Sequence, residues 1–379
     1  MTPPTVVFYI SGHGFGHASR VVEVINALLE RRPDVNVEVR TSASRWLFDL
    51  TVRRTVRVSP CECDVGVVQR DSLHPDIEAT GEAAEAFYAS LGPRAHREAR
   101  LLLSCRPALV VADIPPLAFA AAALAGVPAV ALANFTWDWI YDEYAGDWGD
   151  ARWVPGLIRQ VHRSAREAWR LPMFGGFDGF ERITDLPFVA RRSGRGRDDT
   201  RRALGVGTDD PVALVSFGGF GLEGLPLGRV ARDSRVTVVT TDVPGHVVPT
   251  GATEGPLARR TETGVVAVNE HALYASGWRY EDLVAAADVV VTKPGYGIIA
   301  ECIANGAAIL YTERGRFAEY DVLVREMPRY LRQAFISRDD LLGGTWSAGL
   351  EAALAAPAPA EHPRLDGADT AAERIATYL

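Results

Sequence analysis

Twice in this chain, an apolar run leads straight into a glycine-rich turn and then into the next structural element. The first instance is residues 6–10 (VVFYI), followed by residues 12–20 (GHGFGHASR) and by apolar positions at helical spacing over residues 21–29. The second is residues 212–217 (VALVSF), followed at once by residues 218–221 (GGFG). Buried strands that alternate with helices build a parallel sheet covered on both faces, so this pattern predicts two similar α/β halves.

The remaining segments continue the alternation. Strands are predicted at residues 35–40, 56–58, 109–112, 127–133, 235–240, 265–268, 288–292 and 307–312, of which the last is the final strand. Helices are predicted at residues 44–51, 81–105, 117–125, 281–287 and 296–305, with irregular structure over residues 60–80. A polar stretch at residues 190–201 is the best domain boundary, which predicts domains of residues 1–190 and 198–355 and a short terminal helix at about 364–379.

The bulk properties restrict the class of protein. A length of 379 residues suits two domains, and a formal net charge of −8 argues against a nucleic-acid partner. We find no apolar run long enough to span a membrane and no signal-peptide pattern. Four scattered cysteines predict free thiols in a reducing cytoplasm, and a homodimer is compatible with the sequence.

The first glycine turn holds the residues best suited to acid–base chemistry. It is expected at the carboxyl ends of parallel strands, where ligands bind. His13 and His17 can each serve as a general base, bind phosphate or substrate, or, for His17, cap the helix. Asp113, at the end of a neighbouring predicted strand, can orient His17 or cap the following helix. Arg20 can neutralise a phosphate or pair with an acid at the same sheet edge.

A tryptophan-rich segment follows the predicted strand at residues 127–133. Five of the eight tryptophans lie between residues 134 and 185, namely Trp137, Trp139, Trp148, Trp153 and Trp169. Such rings either pack in the core or line a cleft that holds a ring-shaped or apolar group, and their density slightly favours the cleft.

The second half carries the stronger ligand-binding pattern, at residues 292–301 (TKPGYGIIAE). A strand ends at Thr292, a glycine turn follows, and a helix begins near Tyr296. The N-terminus of a helix binds diphosphate well, and Glu301 lies where a carboxylate can accept hydrogen bonds from ribose hydroxyls. The simpler alternative is a glycine turn with a solvent-facing glutamate. The second glycine loop at residues 218–221 favours the nucleotide site.

A dinucleotide site in the first half fits less well. Gly12 and Gly14 begin a dinucleotide fingerprint, but His17 replaces its third glycine. Arg40 at the end of the second strand could bind a ribose 2′-phosphate, which leaves an NADP-dependent oxidoreductase as an alternative.

Four motifs carry a resemblance to a known family: residues 11–20, 134–141 (NFTWDWIY), 216–219 (SFGG) and 293–297 (KPGYG). They resemble the GT-B-fold glycosyltransferases of the MurG and UDP-glycosyltransferase group. The resemblance is closer still to the glycosyltransferase-like N-terminal part of L-arabinokinases and their stand-alone bacterial relatives. It implies two Rossmann-like β/α/β domains facing across a cleft, with a final helix that returns to the first domain. No kinase half follows and no GHMP-type phosphate loop is present, so no kinase activity is implied.

The resemblance also implies roles for individual residues. Glu301 matches the residue that holds the ribose, Trp278 and Tyr280 fall where the base is contacted, and Glu319 and Tyr320 fall near the pair that grips the donor sugar. The implied donor-binding residues are Gly218, Gly219, Phe220, Gly221, Trp278, Tyr280, Lys293, Gly295, Tyr296, Gly297, Glu301, Glu319 and Tyr320. The implied acceptor-binding residues are Gly14, Phe15, Gly16, Arg20, Asn134, Trp137 and Trp139.

The implied reaction is transfer of a sugar from a nucleoside-diphosphate sugar, with UDP expected, to a small-molecule acceptor such as a natural product. His17 matches the base of inverting relatives, with His13 as the alternative base and Asp113 as the partner. We find no Asp-x-Asp metal motif, so a metal-independent reaction without a cofactor other than the sugar nucleotide is expected. A non-catalytic module that binds sugar nucleotides is the second hypothesis.

Overall fold

The computed structural model describes residues 3–218, 222, 224–241 and 257–379, and it contains two seven-stranded sheets. The first sheet has the order β3-β2-β1-β4-β5-β6-β7, and every neighbouring pair is parallel. Its strands are β1 (Thr5–Ile10), β2 (Asn36–Thr41), β3 (Arg57–Pro60), β4 (Leu109–Asp113), β5 (Ala129–Phe135), β6 (Glu167–Gly175) and β7 (Ile183–Asp185). Its helices are α1 (Gly16–Arg31), α2 (Arg45–Thr51), α3 (Ile77–Ala89), α4 (Leu91–Cys105), α5 (Pro116–Ala125), α6 (Trp137–Asp142) and α7 (Val154–His162).

The second sheet repeats this arrangement. Its order is β10-β11-β9-β8-β12-β13-β14, and among the described strands only β10 and β11 pair antiparallel. The strands are β8 (Val212–Val215), β9 (Thr237–Thr240), β10 (Ala258–Arg260), β11 (Val266–Val268), β12 (Val289–Thr292), β13 (Ala308–Tyr311) and β14 (Gln333–Phe335). The helices are α8 (Arg197–Ala203), α9 (Leu227–Asp233), α10 (Glu270–Ala275), α11 (Tyr280–Ala286), α12 (Tyr296–Asn305), α13 (Glu319–Glu326), α14 (Arg338–Gly343), α15 (Ser347–Ala355) and α16 (Gly367–Ala376).

Both sheets bury both faces, which explains why their central strands are continuous apolar runs. Along β1, Val6 and Phe8 belong to one core cluster while Val7 and Tyr9 belong to another on the opposite face. Successive residues of β8 are divided between two clusters in the same way. The two predicted α/β halves are therefore present, and each contains one sheet that is covered on both faces.

The strand order places a crevice at one edge of each sheet. From β1 the chain crosses to β2 on one side, and from β4 it crosses to β5 on the other side. The connections from β8 and β12 diverge likewise in the second sheet. In open α/β sheets ligands bind at such switch points, outside the carboxyl ends of the strands.

Two secondary-structure predictions differ from the structure. The helix predicted over residues 81–105 is interrupted at Ser90, where α3 ends and α4 begins. It also starts earlier than predicted, at Ile77, with its first turn capped by Asp76. The strand at 307–312 is not the last one, because the short, partly exposed β14 adds to the sheet beyond it. The sequence of β14 is too short and too polar at its edges to show a strand period.

The chain returns to the first domain after α15. Residues Val189 and Asp366 form an isolated antiparallel bridge, and α16 then packs against α1. Ala371, Ala372 and Ile375 are fully buried there.

Candidate functional site

The crevices of the two sheets face each other and enclose a cavity of about 420 Å³. This volume lies within the range of roughly 300–1,000 Å³ that is typical of small-molecule sites. Its first-domain wall is the turn between β1 and α1 together with the end of β5. Its second-domain wall comprises the ends of β8 and β12, the start of α12 and the loop from β13 to α13.

Asp113 is the polar centre of the first-domain wall. This carboxylate, 1% exposed at the end of β4, accepts a hydrogen bond from His17 Nδ1 over 2.8 Å. It also accepts from Arg20 Nε and Nη2, each over 2.5 Å. Burial alone would raise the pKa of Asp113, but the adjacent Arg20 and His17 hold it below its usual value. Asp113 is therefore an ionised acceptor.

The ionised carboxylate determines how His17 can act. An ionised carboxylate only accepts hydrogen bonds, so a neutral His17 carries its proton on Nδ1 and has a lone pair on Nε2. The side chain of His17 lines the cavity, and its Nδ1 also lies 3.1 Å from Arg20 Nη2. This is the tautomer that a general base requires.

His13 lies beside His17 but in a different environment. Its Nδ1 accepts a hydrogen bond from the Val67 amide over 3.4 Å, and its ring meets Trp137 edge to face. Burial, followed by the charges of His17, Arg314 and Lys293, holds the pKa of His13 well below its usual value. Gly66 makes room for this ring, because a Cβ at Gly66 would lie 2.7 Å from it.

A buried hydrogen-bond chain joins the two walls of the cavity. Arg20 Nη1 donates to Asn134 Oδ1 over 2.5 Å, and Asn134 Nδ2 donates to Glu319 Oε1 over 2.8 Å. Glu319 Oε2 accepts from Arg314 Nη1 over 3.2 Å. The chain therefore runs from the Asp113 side of the first domain to a buried carboxylate and arginine of the second domain.

The start of α12 forms another part of the second-domain wall. The turn before it places Lys293 and Gly295 at the cavity, and the unpaired amides of the first helical turn follow. Lys293 Nζ donates to the Ser72 carbonyl over 2.7 Å. Burial, together with the charge of Arg314, lowers the pKa of Lys293 to about 7.

Glu301 lies one turn further along α12 and pairs with Arg191, a residue of the interdomain linker. Arg191 Nε donates to Glu301 Oε1 over 2.7 Å. Burial raises the pKa of Glu301 to about 7, although Arg191 opposes this shift. Arg191 also lies over the ring of Tyr280, at 5.5 Å from its centroid. The carboxylate is thus buried and engaged, not facing solvent as the simpler alternative required.

A second cavity, of about 460 Å³, adjoins the first on the far side of Arg191. The two share Ser19, Leu47 and Arg191. Its wall is strongly polar and includes Arg279, Glu281 and Asp282. The segment 278–280 thus lies between the two cavities.

Many of the residues singled out in the sequence come together at the first cavity. They are His13, Gly14, Phe15, Gly16, His17, Arg20, Asn134, Gly218, Tyr280, Lys293, Gly295, Tyr296, Gly297, Glu301 and Glu319. Asp113 lies directly behind His17 and Arg20. Gly219, Phe220 and Gly221 lie outside the described residues.

Several of the side chains predicted to contact substrates do not line the first cavity. Trp137 is fully buried in the first-domain core and donates to Asp64 through Nε1, and the Trp139 ring packs against Gly175. Neither ring forms the wall of the cavity, so at these positions core packing and not cleft lining accounts for the tryptophans. Trp278 packs beneath Arg195 instead, at 4.1 Å, and Tyr320, on α13, packs against the core.

Four further alternatives are resolved by contacts. The N-cap of α1 is Phe15 and that of α5 is Pro115, so neither His17 nor Asp113 caps a helix. Arg20 pairs with an acid, as one of its two alternatives required. Arg40 donates to both oxygens of Glu98, over 3.0 and 2.7 Å, and so does not offer the 2′-phosphate site that an NADP enzyme needs.

Sequence reasoning did not find Arg314, Arg191 or Asp64. Arg314 and Arg191 lie in segments without a recognisable motif, namely the loop after β13 and the stretch between the two domains. Asp64 lies in the irregular segment after β3 and accepts from Ser11 and Trp137. Burial raises the pKa of Asp64 to about 6.

Two kinds of feature are absent from the part of the chain that the structure describes. Among the described ranges, no three or more His, Cys, Asp and Glu side chains converge as a metal site would require. No helix within the same ranges is long and apolar enough to cross a membrane.

A known protein is similar in sequence to most of this chain. Over 352 residues, which are 92% of this chain, the sequence is 30% identical to the L-arabinokinase of Arabidopsis thaliana. The chain spans about a third of that relative's length, 32%. No family profile matches the chain.

Solved glycosyltransferases share the whole architecture. CalG4, the calicheamicin glycosyltransferase, has a TM-score of 0.64 at 18% identity, covering 100% of this chain and 99% of its own. UGT2 of Phytolacca americana, complexed with UDP-2fluoro-glucose and pterostilbene, has a TM-score of 0.60 at 13% identity, covering 99% and 94%. The predicted GT-B fold is confirmed by these likenesses and by the two facing sheets.

Proposed function

We propose that this chain, which has the GT-B fold, is a glycosyltransferase that moves a sugar from a nucleoside-diphosphate sugar to a small-molecule acceptor. The single observation that carries the proposal is the shared cavity. Its first-domain wall contains His17, which Asp113 orients. Its second-domain wall contains the glycine turn and the N-terminus of α12. These are the two parts that the reaction needs: a base for the acceptor and a site for the departing diphosphate.

The donor is proposed to bind along α12. Its diphosphate would lie at the helix N-terminus, where free amides and the helix dipole favour negative charge. Glu301 would bind the ribose hydroxyls after exchanging its contact with Arg191. The base would lie near segment 278–280, close to Arg191 and the second cavity. UDP is our expected nucleotide, and this choice is supported by the similar UGT2 of Phytolacca americana, which was solved in complex with UDP-2fluoro-glucose.

The transfer step is proposed to be a single inverting displacement. His17 Nε2 removes the proton of the acceptor hydroxyl, whose oxygen bonds to the anomeric carbon while the bond from that carbon to the diphosphate oxygen breaks. Asp113 holds Nδ1 and stabilises the imidazolium that forms. The electron pair of the broken bond remains on the diphosphate. Positioned amides and cations can stabilise that charge without reorganisation.

The proposal is tested with a panel of nucleotides. We would measure thermal shifts with UDP, dTDP, GDP and ADP and their sugars, since a ligand that binds only the folded chain raises its stability. Sugar transfer to a set of small-molecule acceptors, or hydrolysis of the donor in their absence, would then be followed by mass spectrometry. Failure of every nucleotide to bind would contradict the proposed function.

A His17→Ala variant separates catalysis from binding. It should keep donor affinity and lose turnover by about 10²- to 10⁴-fold, the usual contribution of a general base. The matched control is His96→Ala on α4, where the imidazole is exposed and its Nδ1 lies 2.9 Å from the Gly92 carbonyl oxygen of the same helix. Equal turnover in the two variants would exclude His17 as the base.

A second candidate is a module that binds sugar nucleotides without turnover. It is favoured by the hydrogen bond from Arg191 to Glu301, because Glu301 is the carboxylate expected to bind the ribose and is already engaged. It predicts donor binding that is unaltered in His17→Ala and no transfer by the unaltered chain to any acceptor.

A further inference from the structure

Arg314 is a buried cation of the cavity to which the mechanism above assigns no role. Its side chain follows β13, lines the cavity and is 7% exposed. Its guanidinium lies over the Phe317 ring at 3.6 Å, so part of its surface is dry. Burial lowers the pKa of Arg314, because removing the charged guanidinium from water is unfavourable.

The hydrogen bonds of Arg314 are incomplete. Nη1 donates to Glu319 over 3.2 Å and lies 3.4 Å from the Pro294 carbonyl, while no partner for Nε exists among the described residues. Glu319 shares its carboxylate with Asn134. A buried donor without an acceptor is costly, and a guanidinium has five N–H groups in a fixed fork. The arrangement therefore has capacity for a further anionic acceptor.

The position of Arg314 indicates which anion this is. The contact with Pro294 places its guanidinium beside the turn into α12, next to Lys293. The N-termini of α1 and α12 also converge here, because a Cβ at Gly297 would lie 3.9 Å from the Cα of Gly16. Two helix N-termini, an arginine fork and a lysine all favour a group with several negative oxygens.

We propose that Arg314 binds the diphosphate of the donor together with Lys293 and stabilises it as the leaving group. This inference rests on the proposed function. It places Arg314 and Lys293 of the second domain beside the diphosphate oxygen that leaves the anomeric carbon. As the anomeric carbon–oxygen bond breaks, the diphosphate oxygen keeps the electron pair and its added charge faces this pair. The arginine fork can contact two phosphate oxygens at once.

The site also couples donor binding to protonation. Burial and then the charge of Arg314 lower the pKa of Lys293, while the charges of Asp71 and Glu319 raise it. The charge of Lys293 in turn lowers the pKa of His13. A diphosphate adds negative charge to this set and so raises the affinity of the Lys293 amine for a proton. Because the pKa of Lys293 lies at about 7 in the free chain, we expect that Lys293 takes up a proton from the buffer when a diphosphate binds near pH 8.

The test compares nucleoside diphosphates with the corresponding monophosphates by titration calorimetry. The probes are UDP, GDP, ADP and dTDP with UMP, GMP, AMP and dTMP. Arg314→Met should reduce the preference for the diphosphate by about 10- to 100-fold, since hydrogen bonds to charged groups contribute roughly 1.5–3 kcal/mol. Arg316→Met is the matched control, because it removes the same charge from the same loop at an exposed residue paired with Asp147.

The outcomes separate this inference from the function on which it rests. If no nucleotide binds the unaltered chain, the proposed function fails and this inference with it. If nucleotides bind and Arg314→Met keeps the full diphosphate preference, only the role of Arg314 is overturned. A purely structural role beside Glu319 would weaken mono- and diphosphates alike. Arg314→Lys keeps the charge and serves where the methionine variant does not fold, with an expected loss of about 3- to 10-fold.

Proton uptake is measured by repeating the titrations at pH 8 in buffers of different ionisation enthalpy. The unaltered chain should take up a substantial fraction of one proton per diphosphate. An arginine side chain is always protonated at this pH, so Lys293→Arg should still bind diphosphate but lose the proton uptake. Uptake that persists unchanged in Lys293→Arg would overturn the assignment to Lys293.

Discussion

At the scale of single residues, Asp113 has two side-chain hydrogen-bond partners where a simple His–Asp pair has one. Arg20 holds both of its oxygens, and His17 shares one of them. The arginine fixes the carboxylate in one orientation and keeps it ionised. It also links the carboxylate to Asn134 and so to the second domain. Asp113 therefore influences both the base and the alignment of the cleft.

We expect Asp113→Asn to lose turnover and stability together. Turnover should fall by about 10²- to 10⁴-fold, since the amide cannot hold Nδ1–H in the same tautomer or stabilise the imidazolium. The free energy of unfolding should fall by about 3–5 kcal/mol, because Arg20 is left buried without its counter-charge. Steady-state kinetics and urea unfolding measure the two effects. Asp49→Asn, at an exposed position on α2, is the control and should change neither.

The stability effect should depend on pH with a defined sign. The pKa of Asp113 is lowered in the folded chain, so its contribution is complete above its unfolded pKa of about 4. It is lost as the pH falls through the lower folded value. The difference in the free energy of unfolding between the unaltered chain and Asp113→Asn should thus become smaller below about pH 4. A difference that stays constant down to pH 2 would contradict the ionised pair.

The sequence allowed part of this site to be predicted and not the rest. His17 and Asp113 follow strands that the β-α-β pattern makes neighbours, so their approach could be inferred. Arg314 lies in the irregular loop between β13 and α13, and Arg191 lies in the stretch between the two domains, so no local pattern marks either as a cavity residue. The position of Trp137 could not be predicted because composition does not reveal which way a ring points, and its indole N–H is satisfied within the core by Asp64.

At the scale of elements, α16 connects the end of the chain to the helix that carries His17. Ile375 of α16 is fully buried in the core cluster that contains Val22 and Ile25 of α1. The helix also forms exposed ion pairs, such as Arg31 with Glu373 at 2.9 Å. Exposed pairs contribute little, so the apolar contact should carry most of the docking energy.

We expect Ile375→Ala to destabilise the first domain by about 2–5 kcal/mol, the usual cost of removing a buried isoleucine side chain. Hydrogen exchange followed by mass spectrometry should show faster exchange in α1 and little change in α12. Glu373→Ala on the same helix is the control, with an expected loss below about 1 kcal/mol. Equal effects of the two variants would mean that α16 is not held by its apolar face.

Element predictions succeeded where burial imposes a clear sequence pattern. The strands β1, β4 and β12 are apolar at nearly every position because both faces of their sheets are covered. The break at Ser90 does not show in the apolar spacing, which continues from α3 into α4, although Gly92 and Pro93 just after it are a signal that a helix ends and a new one begins. Such a break depends on one backbone conformation, which periodicity does not report.

At the scale of the whole molecule, the loop at residues 71–75 sets how closely the domains approach. Ser72 Oγ donates to the Phe217 carbonyl over 2.6 Å, and the Ser72 carbonyl accepts from Lys293. Gly315 packs against the same loop from the second domain, so the contact extends to the loop between β13 and α13. The closeness of the domains thus depends on the absence of a side chain at Gly315.

Gly315→Ala should separate the domains slightly while leaving each intact. The added Cβ would lie 2.7 Å from Pro75 Cδ and 2.9 Å from the Leu73 carbonyl oxygen, so the backbone must move. A displacement near 1 Å between reacting groups can cost up to about 100-fold in rate, and we expect kcat/KM to fall by about 10- to 100-fold. Gly92→Ala is the control, since a Cβ there meets nothing within 4 Å. Thermal unfolding should change little in either variant, which distinguishes misalignment from unfolding. Unchanged kcat/KM in Gly315→Ala would show that the reaction does not require this approach of the domains.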